Sequence, residues 1–159
     1  MRRRKQSQGR GLLFVALLTA LVLQLWPLFG GVALWRPQFV LLVLTFALIY
    51  RPDYYGIATA WAAGLVMDAV TGGVFGRYAL ALGICAYLLH LFRQRLLHAH
   101  VWHQSGLVFL LVAMTQLVVM SINTSAGSGT SWTLVWYPAI TSALLWPLFY
   151  TLMMRLTRR

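Results

Sequence analysis

From Leu12 to Met154 the chain is a succession of apolar runs separated by short turns, and nothing else in the sequence restricts the fold as much. The runs cover about Leu12–Phe29, Phe39–Tyr50, Tyr55–Val70, Gly76–Phe92, Gly106–Ile122 and Trp132–Met154. Gly30-Gly31 and Trp35-Arg36-Pro37 follow the first, Arg51-Pro52-Asp53 the second, and Gly72-Gly73 the third. A soluble domain carries about 25% charged residues; this chain carries 9% and is 60% hydrophobic. A water-soluble core of this size cannot hide so many Leu, Val, Trp and Phe side chains. The sequence therefore predicts an all-α integral membrane protein with six transmembrane helices. The second and third spans are short. At ~1.5 Å per residue the second cannot cross hydrocarbon about 30 Å thick on its own, so irregular backbone is expected around it.

Charge sets the expected topology. Residues 1–10 form a basic tail with Arg2, Arg3, Arg4, Lys5 and Arg10, residues 11–154 a single six-span domain, and residues 155–159 a second basic tail. Six spans place both termini on one side. Eleven of the 13 basic residues then share that side, leaving Arg36 and Arg77 opposite, which predicts cytoplasmic termini. A basic start before an apolar run also resembles a signal peptide, but this run is longer than an h-region and no A-x-A-like site follows. It is read as the first span. The net charge of +11 does not indicate nucleic acid, because the basic residues lie at the ends of apolar runs with no stripe or recognition motif. The N-terminal tail is expected to lie on anionic lipid headgroups.

Gly64, Asp68, Gly72, Gly76 and Leu80 recur every four residues and would form a drifting stripe on a helix. Asp68 is one of two acidic residues in the chain. Insertion scales put a central Asp at about +2.5 to +3.5 kcal/mol, so it should face protein rather than lipid. Small residues on the stripe allow another helix to come close. The topology puts Arg36 and Arg77 toward the same face as Asp68. Asp68 is then a structural charge, a proton carrier or a ligand group, and the arginines are its partners or interfacial anchors. The stripe serves packing within the bundle or a groove for a partner helix.

Other polar residues carry less. Asp53 beside Arg51 reads as a solvated turn residue. His98, His100 and His103 lack a nearby Cys, Asp or Glu and read as an interfacial loop, so no metal site is expected. Cys85, the one cysteine, reads as a small buried hydrophobe. Asn123-Thr124-Ser125 matches a glycosylation sequon of a kind that arises often by chance, inside a polar loop at 123–131. The seven tryptophans lie mostly near span ends, Trp61 and Trp146 excepted. No catalytic residue and no cofactor is expected.

Four segments together resemble a known family. They are Arg36-Pro37 followed by Gln38-Phe39-Val40-Leu41-Leu42, the Gly64/Asp68/Gly72/Gly76/Leu80 ladder, Ala86-Tyr87-Leu88, and Leu145-Trp146-Pro147. With the span count and basic ends they resemble the MreD family of the bacterial rod-shape machinery. The resemblance implies an inner-membrane, non-enzymatic scaffold that works with a bitopic MreC-like protein and with a RodA-like peptidoglycan polymerase and its transpeptidase. It implies an architecture similar to the substrate-binding subunits of vitamin transporters. It marks Arg36, Pro37, Gly64, Asp68, Gly72, Gly76, Trp146 and Pro147 as structural or interaction positions, to which the topology adds Arg77. Two other readings stay open: a small-molecule-binding component of a transporter, and an intramembrane enzyme. For the enzyme, Asp53 and Asp68 would have to pair, and the topology puts them on opposite faces.

Overall fold

The run Phe39–Tyr50 has no charge, glycine or proline to interrupt a helix, and it is apolar on every side. Such a helix is stable only when enclosed. The computed structural model, which describes residues 2–25, 35–52, 55–72, 74–125, 127 and 133–158, places it at the centre of a helical bundle. In chain order the elements are α1 (Arg2–Leu25), α2 (Phe39–Tyr50), α3 (Ile57–Thr71), α4 (Arg77–Leu97), α5 (Val101–Ser125) and α6 (Thr133–Arg158). There is no strand among the described residues. Gly30-Gly31, Asp53, Gly73, Ala126 and residues 128–131 lie outside them.

Every residue of α2 from Val40 to Ile49 is buried. The helix is 12 residues long, about 18 Å, and packs on α1, α4, α5 and α6. Its shortness is compatible with a membrane because protein, not lipid, surrounds it. The ends of α2 are tied by side chains from other helices. Ser142 Oγ of α6 accepts from the Gln38 N–H at 2.9 Å, and Gln24 Oε1 of α1 accepts from the Phe39 N–H at 3.1 Å. At the far end Arg93 Nε donates to the Ile49 carbonyl at 3.0 Å. Terminal backbone groups of a helix need partners of this kind.

Around this centre α3 packs most extensively on α4, and α5 on α6. Among the described residues three helical segments are long and apolar enough to cross a membrane, Arg77–Leu97, Val101–Ser125 and Trp136–Thr157; Leu13–Gln24, Phe39–Tyr50 and Ile57–Thr71 are shorter apolar segments. The outer surface is apolar too. Phe75, Leu91, Leu144 and Leu148 are exposed, as expected of a lipid-facing surface.

Helix boundaries depart from the apolar runs in an instructive way. Helix α1 begins in the basic tail at Arg2, because Arg, Lys and Gln are good helix formers. Helix α5 continues to Ser125 through residues expected in a loop. Thr124 and Ser125 donate their hydroxyls to the carbonyls of Met120 and Ser121, each at 2.9 Å, so the helix itself satisfies them. Helix α6 runs through Pro138 and Pro147 without a break.

A second set of ties closes the end of the bundle where α2 and α4 finish. Trp146 is fully buried, and its indole Nε1 donates to Gln104 Oε1 at 3.3 Å. Gln104 Nε2 donates to the Tyr50 hydroxyl at 3.1 Å and to the Leu96 carbonyl at 3.0 Å. One amide thus joins α2, α4, α5 and α6. Beside it the rings of Tyr50 and Tyr150 lie 5.7 Å apart. Trp146→Phe leaves Gln104 Oε1 buried without its donor and opens a small void. A loss of about 1–3 kcal/mol is expected from the unpaired acceptor, read as a lower melting temperature in detergent. An unchanged melting temperature would show that this amide hub is not a stabilising tie.

Candidate functional site

The apolar run of α3 stops where glycine takes over. Gly72 has φ +67° and Gly76 has φ +98°, a region that side-chain-bearing residues avoid. Between them the chain reverses, and α4 starts at Arg77. The hairpin is closed by a near contact at Gly64. A Cβ built there would sit 2.4 Å from the Ala79 Cα and 2.6 Å from the Ala79 nitrogen and the Tyr78 carbonyl oxygen. Only glycine lets the two backbones meet at this distance.

One turn further along α3, the Asp68 side chain is fully buried. Its Oδ2 accepts from the N–H groups of Gly76 and Ala79, each at 3.1 Å, and its Oδ1 accepts from the Tyr78 N–H at 3.1 Å. Three free donors at the start of α4 are thereby satisfied. The N-cap residue, Gly76, has no side chain of its own to do this. Asp68 supplies the cap from a neighbouring helix, and its negative charge opposes the positive end of the α4 dipole. Arg77 Nε lies 3.7 Å from Oδ1, an ion pair too long for a hydrogen bond.

The rest of Arg77 extends the clasp. Its Nη1 donates to Asn123 Oδ1 of α5 at 2.8 Å, and its Nη2 donates to the Gly72 carbonyl at 2.6 Å and to Thr71 Oγ1 at 3.2 Å. One guanidinium therefore joins the end of α3, the start of α4 and the end of α5. Asn123, read from the sequence only as part of a sequon, is a partner in this clasp.

Gly64, Asp68, Gly72, Gly76 and Arg77 thus come together. The remaining candidate residues do not join them. Arg36 makes no ion pair with Asp68; it precedes α2, whose start is held by α1 and α6. Pro37 goes with it. Trp146 and Pro147 lie on α6, with Trp146 in the amide hub at the opposite end of α4. Leu80, last of the ladder, is half exposed and lines a shallow apolar groove with Trp61, Leu65, Phe75 and Ile84. Cys85 is buried, with its Sγ 3.2 Å from Thr115 Oγ1. His98 Nδ1 lies 3.0 Å from the carbonyl of Gln94 on its own helix.

Sequence reasoning missed Gln24, Gln104, Ser142 and the structural use of Arg93. Arg93 and Gln104 lie at run ends, whereas Gln24 and Ser142 are polar residues inside apolar runs. The available signal was that a polar side chain in or beside an apolar run needs a buried partner.

Chemically the site is a lock. The carboxylate of Asp68 holds three backbone donors and one cation, and it is the one acid among the described residues. These features define a small, all-helical membrane protein built around a central enclosed helix and a capped helical hairpin. A family model for the rod shape-determining protein MreD matches residues 5–156, and the chain belongs to that family of membrane proteins involved in rod-shape determination. It is also similar to a rod shape-determining protein MreD of Haemophilus influenzae, 29% identical over 140 residues, which cover 88% of this chain and 86% of the relative. No solved structure matches it.

Proposed function

We propose that the protein is a non-enzymatic scaffold of bacterial cell-wall elongation. In this reading it sits in the inner membrane and organises an MreC-like bitopic protein and a RodA-like polymerase with its transpeptidase through helix packing. The observation that carries the reading is the state of Asp68. It accepts hydrogen bonds from the N–H groups of Gly76, Tyr78 and Ala79 and is ion-paired with Arg77, so the one described acid is committed to holding the hairpin. What the bundle offers outward is an apolar helical surface, the kind on which membrane helices associate. A transport role has less support, because the groove beside the clasp is lined by apolar side chains with no converging polar group.

Purification in mild detergent followed by identification of copurifying proteins tests the scaffold reading. Recovery of an MreC-like protein and the polymerase is expected; recovery of transporter ATPase subunits instead would refute it. Both termini are placed in the cytoplasm on the eleven-to-two distribution of basic residues. Alkaline phosphatase fused after Arg159 should then be inactive, since it needs the oxidising side of the membrane. Full activity of that fusion would overturn the topology.

A further inference from the structure

Among the described residues Arg36 is a cation without an anion. Its Nε and Nη2 are buried and have no hydrogen-bond partner. These two atoms are not an arbitrary pair. Their N–H bonds point the same way and form one edge of the guanidinium, the edge that receives two oxygens of a single carboxylate or phosphate. The chain has two acidic residues. Asp68 is occupied by the α4 cap and Arg77. Asp53 lies outside the described residues. Among the described residues, therefore, no acidic side chain is free to pair with this edge.

We propose that the Nε/Nη2 edge of Arg36 binds an oxyanion from outside the chain, the phosphate of a phospholipid headgroup. The surroundings fit this ligand. Trp35 is half exposed, and its ring lies 4.9 Å from that of Tyr137. Such aromatic residues mark the level of the headgroups in a membrane. On α6, at the same end of the bundle, Trp136 and Ile140 are exposed and offer apolar surface to acyl chains. The backbone donors at the start of α2 do not compete, because Ser142 and Gln24 already hold the Gln38 and Phe39 N–H groups. Neither guanidinium atom touches solvent, so the phosphate reaches the edge through a local opening. The site is independent of the scaffold reading.

The full-length protein in detergent provides the test, with added dioleoyl phosphatidylglycerol, a glucosyl diacylglycerol that lacks phosphate, or inorganic phosphate. Phosphatidylglycerol should raise the wild-type melting temperature by about 5 °C, and the other two should leave it unchanged. Arg36→Gln should abolish the rise, and Arg36→Lys, a point charge without the fork, should keep at most half of it. Native mass spectrometry of the delipidated wild-type protein should retain one phospholipid, a readout that needs no variant to fold. Loss of all phospholipid in that measurement would overturn the proposal. So would an equal melting rise in Arg36→Gln, or an equal rise with the glycolipid. An equal rise with inorganic phosphate would assign the edge to a free anion. If Arg36→Gln kept the lipid effect but lost a copurifying protein, the edge would belong to a partner's carboxylate, and the lipid site would be refuted.

Discussion

Replacing Asp68 with alanine should cost about 3–5 kcal/mol, the usual penalty for removing one member of a buried ion pair. Three backbone N–H groups of α4 would lose their acceptor at the same time, and Arg77 would keep its charge without its carboxylate. The melting temperature in detergent should fall and partner recovery should fall with it. The asparagine variant makes the sharper test. Asp68 accepts on both oxygens, whereas Asn has one acceptor oxygen and an NH2 group that would face a backbone donor. Asp68→Asn is therefore expected to be nearly as damaging as Asp68→Ala, although it preserves shape. A proton carrier would behave otherwise: both variants would fold and associate normally yet fail to support rod shape. Normal melting and normal copurification together with lost rod shape would reject the capping role.

Gly64→Ala should disturb the same hairpin from the packing side. The added Cβ would lie 2.4 Å from the Ala79 Cα, against about 3.5–4.0 Å for a comfortable carbon contact. The obstacle is backbone, so no rotamer change relieves it, and α3 and α4 must separate by on the order of 1 Å. Overpacking of this kind costs about 1–3 kcal/mol. The separation also pulls Asp68, one turn away, from the donors it holds at 3.1 Å. The two substitutions damage one unit, so the double variant Gly64→Ala/Asp68→Ala should lose less than the sum of the singles. Ala79→Gly should not rescue Gly64→Ala, since the clash is with the Cα and nitrogen that glycine retains. Melting temperatures of the four variants decide this. Full rescue by Ala79→Gly would show that the contact at Gly64 is looser than described.

The sequence by itself determined that this is an all-helical membrane protein, because hydrocarbon admits few backbone arrangements and 60% hydrophobic residues in regular runs leave little choice. It also singled out the Gly64-to-Gly76 ladder, since glycine at helical spacing and a lone acid are costly unless used. Helix α2 was legible to the residue, because a tryptophan-arginine-proline turn and an arginine-proline turn bracket it. What Asp68 does was decided only by the tertiary structure. Sequence suggests that a buried carboxylate seeks a side-chain cation, and Arg36 and Arg77 were equal candidates on that ground. The folded chain pairs it with Arg77 and, more importantly, with three backbone N–H groups, donors that every residue except proline carries and that no pattern of side chains reveals. The Gln104–Trp146–Tyr50 hub was hidden for a related reason. Gln104 is 54 residues from Tyr50 and 42 from Trp146, the three side chains lie on three helices with the Leu96 carbonyl on a fourth, and only the packing of α2, α4, α5 and α6 brings them within hydrogen-bond reach.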